Sequence, residues 1–224
     1  MTITQELQGM ESSAGERNLQ KSQELKVAYI MSRFPKLTET FILYEMLAMR
    51  HQGIQVEVYP LIREREERMH PEAAQFVEIA HFQPFISLPI VRANLYFLWK
   101  KPIIYLKTLW DLLRANWGSF NFLTGVIGIF PKTVLFAFQM RADKVQHIHA
   151  HFASHPAAAA FIVHRLVGIP YSFTAHGSDL HRDRHMLREK VAEAAFVAAI
   201  SEYNKELMIS ECREHYSEKI QVVH

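Results

Sequence analysis

The sequence predicts an α/β fold in which helices cover both faces of a parallel β-sheet. Short apolar runs of strand length alternate with segments whose apolar residues recur at helical spacing. The chain has 224 residues, 49% of them hydrophobic, which is enough to bury one core of this kind. These observations favour one α/β domain over an all-helical or all-strand protein.

The N-terminal part of the domain is predicted to begin strand, helix, strand. A continuous apolar run over 27–31 is typical of a strand buried on both faces. The next segment, 39–52, has helical spacing, with Thr38 as its expected cap and Gly53 as its end. Apolar and polar residues then alternate over 54–59, which predicts a second strand. This order is the beginning of a Rossmann-like sheet.

Strands and helices continue to alternate towards the C-terminus. The predicted strands are 145–149, 170–174, 196–200 and 219–223, and the predicted helices are 71–80, 156–167, 186–195 and 202–216. Alternation of this kind implies parallel strands connected by helices that cross over the sheet.

Composition narrows the class of protein. We expect 1–25 to be a disordered leader, since it lacks the apolar block of a signal peptide. Cys212 is the only cysteine, so no internal disulfide can form, and its position on a predicted helix favours packing over catalysis. The net charge of +2 argues against nucleic acid as a partner. No uninterrupted apolar run of about 18 residues occurs, so we expect no membrane-spanning helix.

The segment 82–144 differs from the rest of the chain. It holds eight bases, two acids and all three tryptophans, on helical stretches broken near Pro102 and Gly118. One interpretation is a helical insertion that lies in the lipid interface and meets anionic headgroups. The other is a set of ordinary helices that pack their aromatic residues into the core. Single-stranded nucleic acid is a third candidate ligand, which nothing else in the chain supports.

Three histidines, His147, His149 and His151, follow one another at every second position. On a strand this spacing puts all three imidazoles on one face, where they could hold zinc with a water as fourth ligand. They could equally bind a polar ligand or serve as hydrogen-bonded structural histidines. All three readings stay open from the sequence.

A second polar turn, 174–179, follows a predicted strand. The carboxyl end of a strand is where open α/β sheets bind ligands, and Gly177 beside His176 allows a ligand to approach the backbone. The chain has no Gly-x-Ser-x-Gly elbow and no glycine-rich phosphate loop. Serine hydrolases, P-loop nucleotidases and dehydrogenases are therefore not supported.

Four segments, 32–42, 145–153, 173–180 and 199–204, carry a resemblance to a known family. Together they resemble the N-terminal half of retaining glycosyltransferases of the two-domain GT-B type, family 4, in the branch that builds exopolysaccharides such as colanic acid. The resemblance implies transfer of a hexose from a nucleotide-sugar to a polysaccharide or lipid-linked acceptor, without a metal or other cofactor.

The resemblance also implies roles for particular residues. His176 would be the catalytic residue that reaches the donor sugar. The residues implied to bind the acceptor are Arg33, Thr38, Glu39, Thr40 and His151, and those at the rim of the cleft are Gly177, Asp179, Ser201 and Asn204.

The resemblance covers only the acceptor side, over residues 26–224. The family's donor-binding domain, with its paired glutamates, has no counterpart here, so we expect the chain to need a separate C-terminal half and to be inactive alone. A non-catalytic membrane-surface module derived from this fold is the alternative, and a zinc hydrolase is a further one. The expected location is the cytoplasm, with peripheral contact to the inner face of the plasma membrane if 82–144 meets lipid.

Overall fold

The computed structural model describes residues 25–65 and 69–223. Residues 1–24 of the predicted leader lie outside this range. The described residues form a six-stranded sheet in which every neighbouring pair is parallel, in the order β2-β1-β3-β4-β5-β6. The strands are β1 (Lys26–Phe34), β2 (Gln55–Arg63), β3 (His147–His151), β4 (Tyr171–Ala175), β5 (Phe196–Ala199) and β6 (Ile220–Val222). The predicted α/β class and parallel sheet are confirmed.

Nine α-helices occur among the described residues. They are α1 (Thr40–His51), α2 (Ala74–Ile79), α3 (Leu88–Lys100), α4 (Pro102–Ala115), α5 (Phe120–Ala142), α6 (His155–Val167), α7 (Gly177–Arg182), α8 (Leu187–Glu193) and α9 (Glu202–Cys212). Two 3₁₀ turns, Pro71–Ala73 and Glu214–Lys219, precede α2 and β6. Helices α2 to α5 lie in the connection between β2 and β3. Helices α3 to α5 are separated by breaks at Pro102 and at Gly118 (φ +104°), as the sequence predicts.

The structure corrects four details of the predicted elements. Thr38 does not cap α1, because the cap position is Glu39 and neither residue makes the expected side-chain bond there. The last helix stops at Cys212, since Arg213 adopts φ +96° and cannot continue it. The short helix α7 is not predicted by the apolar pattern. Strand β3 runs two residues later than expected and therefore includes His151.

The two faces of the sheet pack against different helices. On one face, α1 and α2 cover β1 and β2, and Tyr29, Met46 and Phe76 are buried there. On the other face, α5 and α6 pack over the central strands in a larger cluster that includes Phe136 and Phe161. Cys212 is buried, and this burial raises the pKa of its thiol to about 12, which fits the predicted packing role.

Helix α5 is long and apolar enough, by length and composition, to cross a membrane. However, 56% of its apolar window is buried inside the domain, where Phe130, Val134 and Phe136 join the core. Lys132 on the same helix is buried too, and its Nζ donates a 2.7 Å hydrogen bond to the carbonyl of Leu61. We therefore interpret α5 as a core helix of this domain.

Candidate functional site

The candidate site lies at the carboxyl edge of the sheet, beside the ends of β1, β3 and β4. It is built around four residues that we call the histidine cluster: Glu45, His149, His151 and His176. Because β3 and β4 pair in parallel, with His151 opposite Thr174, the turn after β4 returns to the end of β3. The two histidines that the family resemblance singles out, His151 and His176, are thereby brought together, with ring centroids 5.8 Å apart.

Aromatic side chains enclose His176. Its ring centroid lies 4.8 Å from that of Phe41 on α1 and 4.7 Å from that of Phe152, which directly follows β3. Burial, together with the charge of His151, lowers the pKa of His176 to about 4. The imidazole is therefore neutral at pH 7, with one nitrogen able to donate and the other to accept a hydrogen bond.

Glu45 is a member of this cluster that sequence reasoning missed. Its Oε1 accepts a 3.0 Å hydrogen bond from the hydroxyl of Tyr29, and its Oε2 lies 3.4 Å from Nε2 of His151. Burial opposes its ionisation, but interactions with His151, His149 and Tyr29 outweigh that effect and lower the pKa of Glu45 to about 2. The site thus holds a permanent carboxylate at neutral pH. The available signal was its place one helical turn after Phe41 on α1.

Hydroxyl groups on β4 hold His149. The Nδ1 of His149 lies 2.8 Å from Oγ of Ser172, and its Nε2 lies 3.0 Å from Oγ1 of Thr174. Burial is the main reason that the pKa of His149 falls to about 3, so this ring is neutral as well. His149 therefore fits the predicted role of a hydrogen-bonded structural histidine.

The predicted zinc face of three histidines is present on β3 but does not form one ligand set. His147 turns to Ser172, with its Nε2 2.7 Å from Oγ, and stacks on Phe196. Among the described residues, the group whose ligand atoms lie within 4.8 Å of one another is Glu45, His149 and His151. Since both ring nitrogens of His149 are already hydrogen-bonded, we interpret this group as a polar cluster rather than a metal centre.

Three ring nitrogens of the histidine cluster are buried without a hydrogen bond among the described residues, and one of them, Nε2 of His151, has the Glu45 carboxylate 3.4 Å away as an ionic neighbour. They are Nδ1 and Nε2 of His151 and Nε2 of His176. His151 is only 1% exposed. Leaving such atoms unpaired costs about 1–3 kcal/mol each, so positions of this kind call for a function such as ligand binding.

The loop that joins β3 to α6 is clamped between two charged groups. The Asp179 carboxylate accepts a hydrogen bond from the amide of Ala153, and the buried Lys190 donates from Nζ to the carbonyl of the same residue at 2.5 Å. Burial raises the pKa of Asp179 to about 6 and lowers that of Lys190 to about 8. The clamp holds the neighbouring Phe152 against His176. Phe152 has φ +80° there, a backbone conformation that is energetically unfavourable for a residue other than glycine.

Apart from His151 on β3, the residues implied to bind the acceptor lie near the end of β1 and at the start of α1. Arg33 is exposed and its Nη1 lies 3.3 Å from Oε2 of Glu64, while Glu39 accepts a 2.7 Å hydrogen bond from Lys36. Thr38 is exposed and Thr40 is the first residue of α1. The structure thus sets these residues at the same edge as His151, but it joins Arg33 and Glu39 to neighbouring charges rather than to the histidines.

The residues implied for the cleft rim occupy two helix starts. Gly177 opens α7, directly after His176. Ser201 caps α9, with its Oγ accepting a 3.2 Å hydrogen bond from the amide of Asn204, which is buried. Asp179 belongs to the clamp rather than to an open rim.

A groove on the α5 face of the sheet contains another residue that sequence reasoning missed. It runs between the ends of β1 and β2 and the first turns of α5, and Ser32, Ile62, Gly125 and His155 are among its lining residues. His155 stacks on Phe122 with ring centroids 5.0 Å apart, and its buried Nε2 has no hydrogen-bond partner among the described residues. Burial lowers the pKa of His155.

No family model matches the chain, and no curated relative is similar enough to count as a match. Solved structures do match. The chain superposes on UDP-GlcNAc 2-epimerase from Methanocaldococcus jannaschii in complex with UDP-GlcNAc and UDP, with a TM-score of 0.53, 15% identity, and coverage of 89% of this chain and 46% of that one. A second structure of the enzyme from that organism matches with a TM-score of 0.51 and 11% identity, and the match covers 89% of this chain and 45% of that one. UDP-N-acetylglucosamine 2-epimerase from Rickettsia bellii matches with a TM-score of 0.48 and 11% identity, and the match covers 89% of this chain and 44% of that one.

The chain has the fold of one half of a GT-B protein. It spans less than half the length of each of these structures. Identities of 11% to 15% establish the fold and not the reaction. The predicted Rossmann-like half of a GT-B fold is thus confirmed.

Proposed function

We propose that this chain is the acceptor-side domain of an enzyme that acts on a nucleotide-sugar, and that the reaction is transfer of the sugar to a saccharide or lipid-linked acceptor with retained configuration. One observation carries the proposal. His151 and His176 come from segments that resemble family 4 glycosyltransferases, and they meet at the carboxyl edge with buried, unpartnered ring nitrogens. This edge is where α/β sheets of this type bind ligands.

The chemistry of the histidine cluster suits a sugar. Neutral His176 can donate and accept hydrogen bonds, and the ionised Glu45 adds an acceptor. The hydroxyl groups of a sugar could therefore bind both a donor and an acceptor in this cluster. The rings of Phe41 and Phe152 offer apolar faces for the C–H side of a pyranose. Neither role needs a metal ion.

The donor is proposed by analogy. One of the matching structures binds UDP-GlcNAc and UDP, so uridine nucleotide-sugars are the first donors to test. Because the chain spans less than half of such proteins, we expect a second half to supply the rest of the donor site. On this proposal the chain alone neither holds a nucleotide-sugar tightly nor transfers its sugar.

The acceptor is proposed to lie in the groove that contains His155. The groove lies between the ends of β1 and β2 and helix α5, and it combines apolar walls, such as Ile62, with polar groups on Ser32 and His155. Such a mixture fits an acceptor with a saccharide head and an apolar carrier.

The second candidate reaction is 2-epimerisation of a nucleotide-sugar. The observation that favours it is the fold likeness to UDP-GlcNAc 2-epimerases. The two reactions differ in their products. Transfer releases the nucleotide and lengthens an acceptor, whereas epimerisation returns an isomeric nucleotide-sugar without any acceptor.

The test is to combine the chain with a C-terminal half encoded next to it, supply uridine nucleotide-sugars and acceptor, and analyse the products by mass spectrometry and NMR. We expect a lengthened acceptor, and we expect His176→Ala to abolish transfer without changing the thermal unfolding temperature. The matched control is His215→Ala, an exposed histidine away from the cluster. An isomerised donor would establish the epimerase, and neither product would favour a non-catalytic module. Unchanged turnover of His176→Ala would refute its role.

A further inference from the structure

Helices α3 and α4 expose an unusually apolar surface. On α3 the exposed apolar residues recur every three or four positions and form one stripe, each between 40% and 60% exposed: Leu88, Val91, Leu95 and Leu98. On α4 the same spacing joins Ile103, Leu106 and Trp110, which are 80%, 54% and 64% exposed. The opposite sides of both helices supply Phe97 and Leu112 to the core. The stripes therefore face away from the domain.

All three tryptophans of the chain stand on this surface. Trp99 is 78% exposed, Trp110 64% and Trp117 79%, and Phe120 at the start of α5 is 83% exposed. Large aromatic side chains are normally well buried in a folded domain. A set of exposed ones marks a surface that binds another phase or molecule. We call the exposed apolar residues of 88–120 the α3–α4 surface.

Bases accompany the apolar stripes. Lys107 lies one helical turn after Ile103, and Arg114 one turn after Trp110, so both project from the same side as the stripe. Lys100 stacks its ammonium over the Trp99 ring at 4.6 Å. Among the described residues, neither Lys107 nor Arg114 has an acidic partner. Their charge is therefore available to an external anion.

Negative charge is nearly absent from the same two helices. The only acid on α3 and α4 is Asp111, and its carboxylate is paired with Arg165 of α6 at 3.3 Å. The surface consequently presents positive charge beside apolar rings, without an acidic counterpart of its own.

The α3–α4 surface is held in a fixed position on the domain. The hydroxyl of Tyr105 donates a 2.9 Å hydrogen bond to Asn94, which ties α4 to α3, and Nζ of Lys101 donates to the carbonyl of Leu166 at 2.8 Å. At the other end of α4, Ser119 donates a 2.7 Å hydrogen bond to Asp183, just after α7. Because α7 follows His176, this end of the surface reaches the same sheet edge as the candidate site.

We propose that the α3–α4 surface docks the domain on a bilayer that contains anionic lipids. Apolar stripes bordered by Lys and Arg match the two layers of a membrane interface, since tryptophan rings settle at headgroup depth and the bases meet phosphates. A protein partner would need acidic and apolar side chains arranged to match the bases and apolar stripes of this surface. An anionic bilayer offers negative headgroups and apolar acyl chains at every point of its surface. The proposal does not depend on which reaction the site catalyses.

The tryptophans make docking directly measurable. The 224-residue chain is titrated with vesicles of phosphatidylcholine alone and with vesicles that also contain phosphatidylglycerol, and tryptophan fluorescence and co-sedimentation are recorded. We expect binding and a blue shift only with the anionic vesicles. Raising the salt from about 0.1 M to about 0.5 M should weaken binding at least about tenfold, because the charges are screened.

Matched variants separate the two contributions. Lys107→Gln with Arg114→Gln should weaken binding about twenty-fivefold, at about fivefold for each base. Trp110→Ala should weaken it further at any salt concentration. The controls are Arg188→Gln and Tyr203→Ala, an exposed base and a 63% exposed aromatic residue outside the surface, which should bind like the original chain. All of these side chains are exposed, and unchanged circular dichroism would verify that each variant folds.

Three outcomes would overturn the proposal. Equal binding to neutral and anionic vesicles, or no binding to either, would remove the anionic bilayer as the occupant. Self-association of the chain that disappears in Trp110→Ala, without vesicle binding, would assign the surface to a second copy of this chain instead.

Discussion

Glu45 and His151 form the closest carboxylate–imidazole contact of the candidate site, with Oε2 of the one 3.4 Å from Nε2 of the other. The two residues lie on α1 and β3, more than 100 positions apart in the chain. The hydroxyl of Tyr29 holds the other oxygen of Glu45, so the carboxylate is fixed between a strand and a histidine. We infer that Glu45 positions His151, because its carboxylate limits the orientations that the His151 ring can adopt.

The first prediction concerns Glu45→Gln. The pKa of Glu45 is lowered to about 2 in the folded protein, against 4.5 for an ordinary glutamate, so its ionised form stabilises the fold above about pH 4.5 and this contribution is lost as the pH falls towards 2. The variant should be less stable by about 1 kcal/mol at pH 7, a value reduced for solvent screening because the side chain is 40% exposed.

Urea unfolding of both proteins at pH 7 and at pH 3 measures this difference. The difference in free energy of unfolding between variant and original chain should be smaller at pH 3. The control is Glu206→Gln, which changes an exposed glutamate on α9 and should leave the free energy of unfolding unchanged at either pH. An equal gap at both pH values would mean that the charge of Glu45 is not what stabilises the fold.

The second prediction concerns Asp179→Asn and has the opposite sign. Burial raises the pKa of Asp179 to about 6, against 3.8 ordinarily, so its contribution to stability is present below about pH 3.8 and is lost as the pH rises through 6. Asparagine carries no charge and can still accept the hydrogen bond from Ala153. The free energy of unfolding of the variant, relative to that of the original chain, should therefore rise by about 2 kcal/mol between pH 4 and pH 8.

Stability is compared by denaturant unfolding across that pH range. Asp179→Ala is the contrasting variant, since it removes the acceptor for the Ala153 amide and should destabilise the fold at every pH. If Asp179→Asn followed the pH profile of the original chain, the buried carboxylate would not be the group that titrates.

The extent to which the site was predictable differs between its residues. The alternation of apolar runs predicts all six strands, with β3 displaced by two residues, and the family resemblance singles out His151 and His176, whose ring centroids lie 5.8 Å apart. Glu45 was not predictable in this way, because its role depends on how α1 lies across β1 and β3. Local patterns of apolar residues define a helix face, but they do not state which strand residue that face will meet.

His155 and the Asp179–Lys190 clamp were missed for a related reason. Lys190 lies on a helix among exposed charged residues, so its sequence context predicts a surface residue. In the structure it is only 1% exposed, because its ammonium group donates a hydrogen bond to the carbonyl of Ala153. Thr38 illustrates the reverse error. A good capping residue lies next to α1, but the turn that precedes the helix leaves its side chain in solvent.

The third prediction tests how closely α5 approaches α6. A methyl group added at Gly125 would lie 1.9 Å from Nε2 of His155, whereas one added at Gly128, a turn later on the same helix, would meet nothing within 4 Å. Gly125→Ala should therefore displace the His155 ring from Phe122, while Gly128→Ala should stabilise the helix by up to about 1 kcal/mol, as alanine does in place of glycine.

Thermal unfolding compares the two variants, which differ only in the position of one methyl group on one helix. We expect Gly125→Ala to be less stable than Gly128→Ala by about 1–3 kcal/mol, the usual cost of overpacking. Adding His155→Ala should recover part of that difference, because the three atoms nearest the added methyl group all belong to this ring. Equal stability of the two glycine variants would mean that His155 turns aside without loss, so that its stacking on Phe122 does not hold it in the groove.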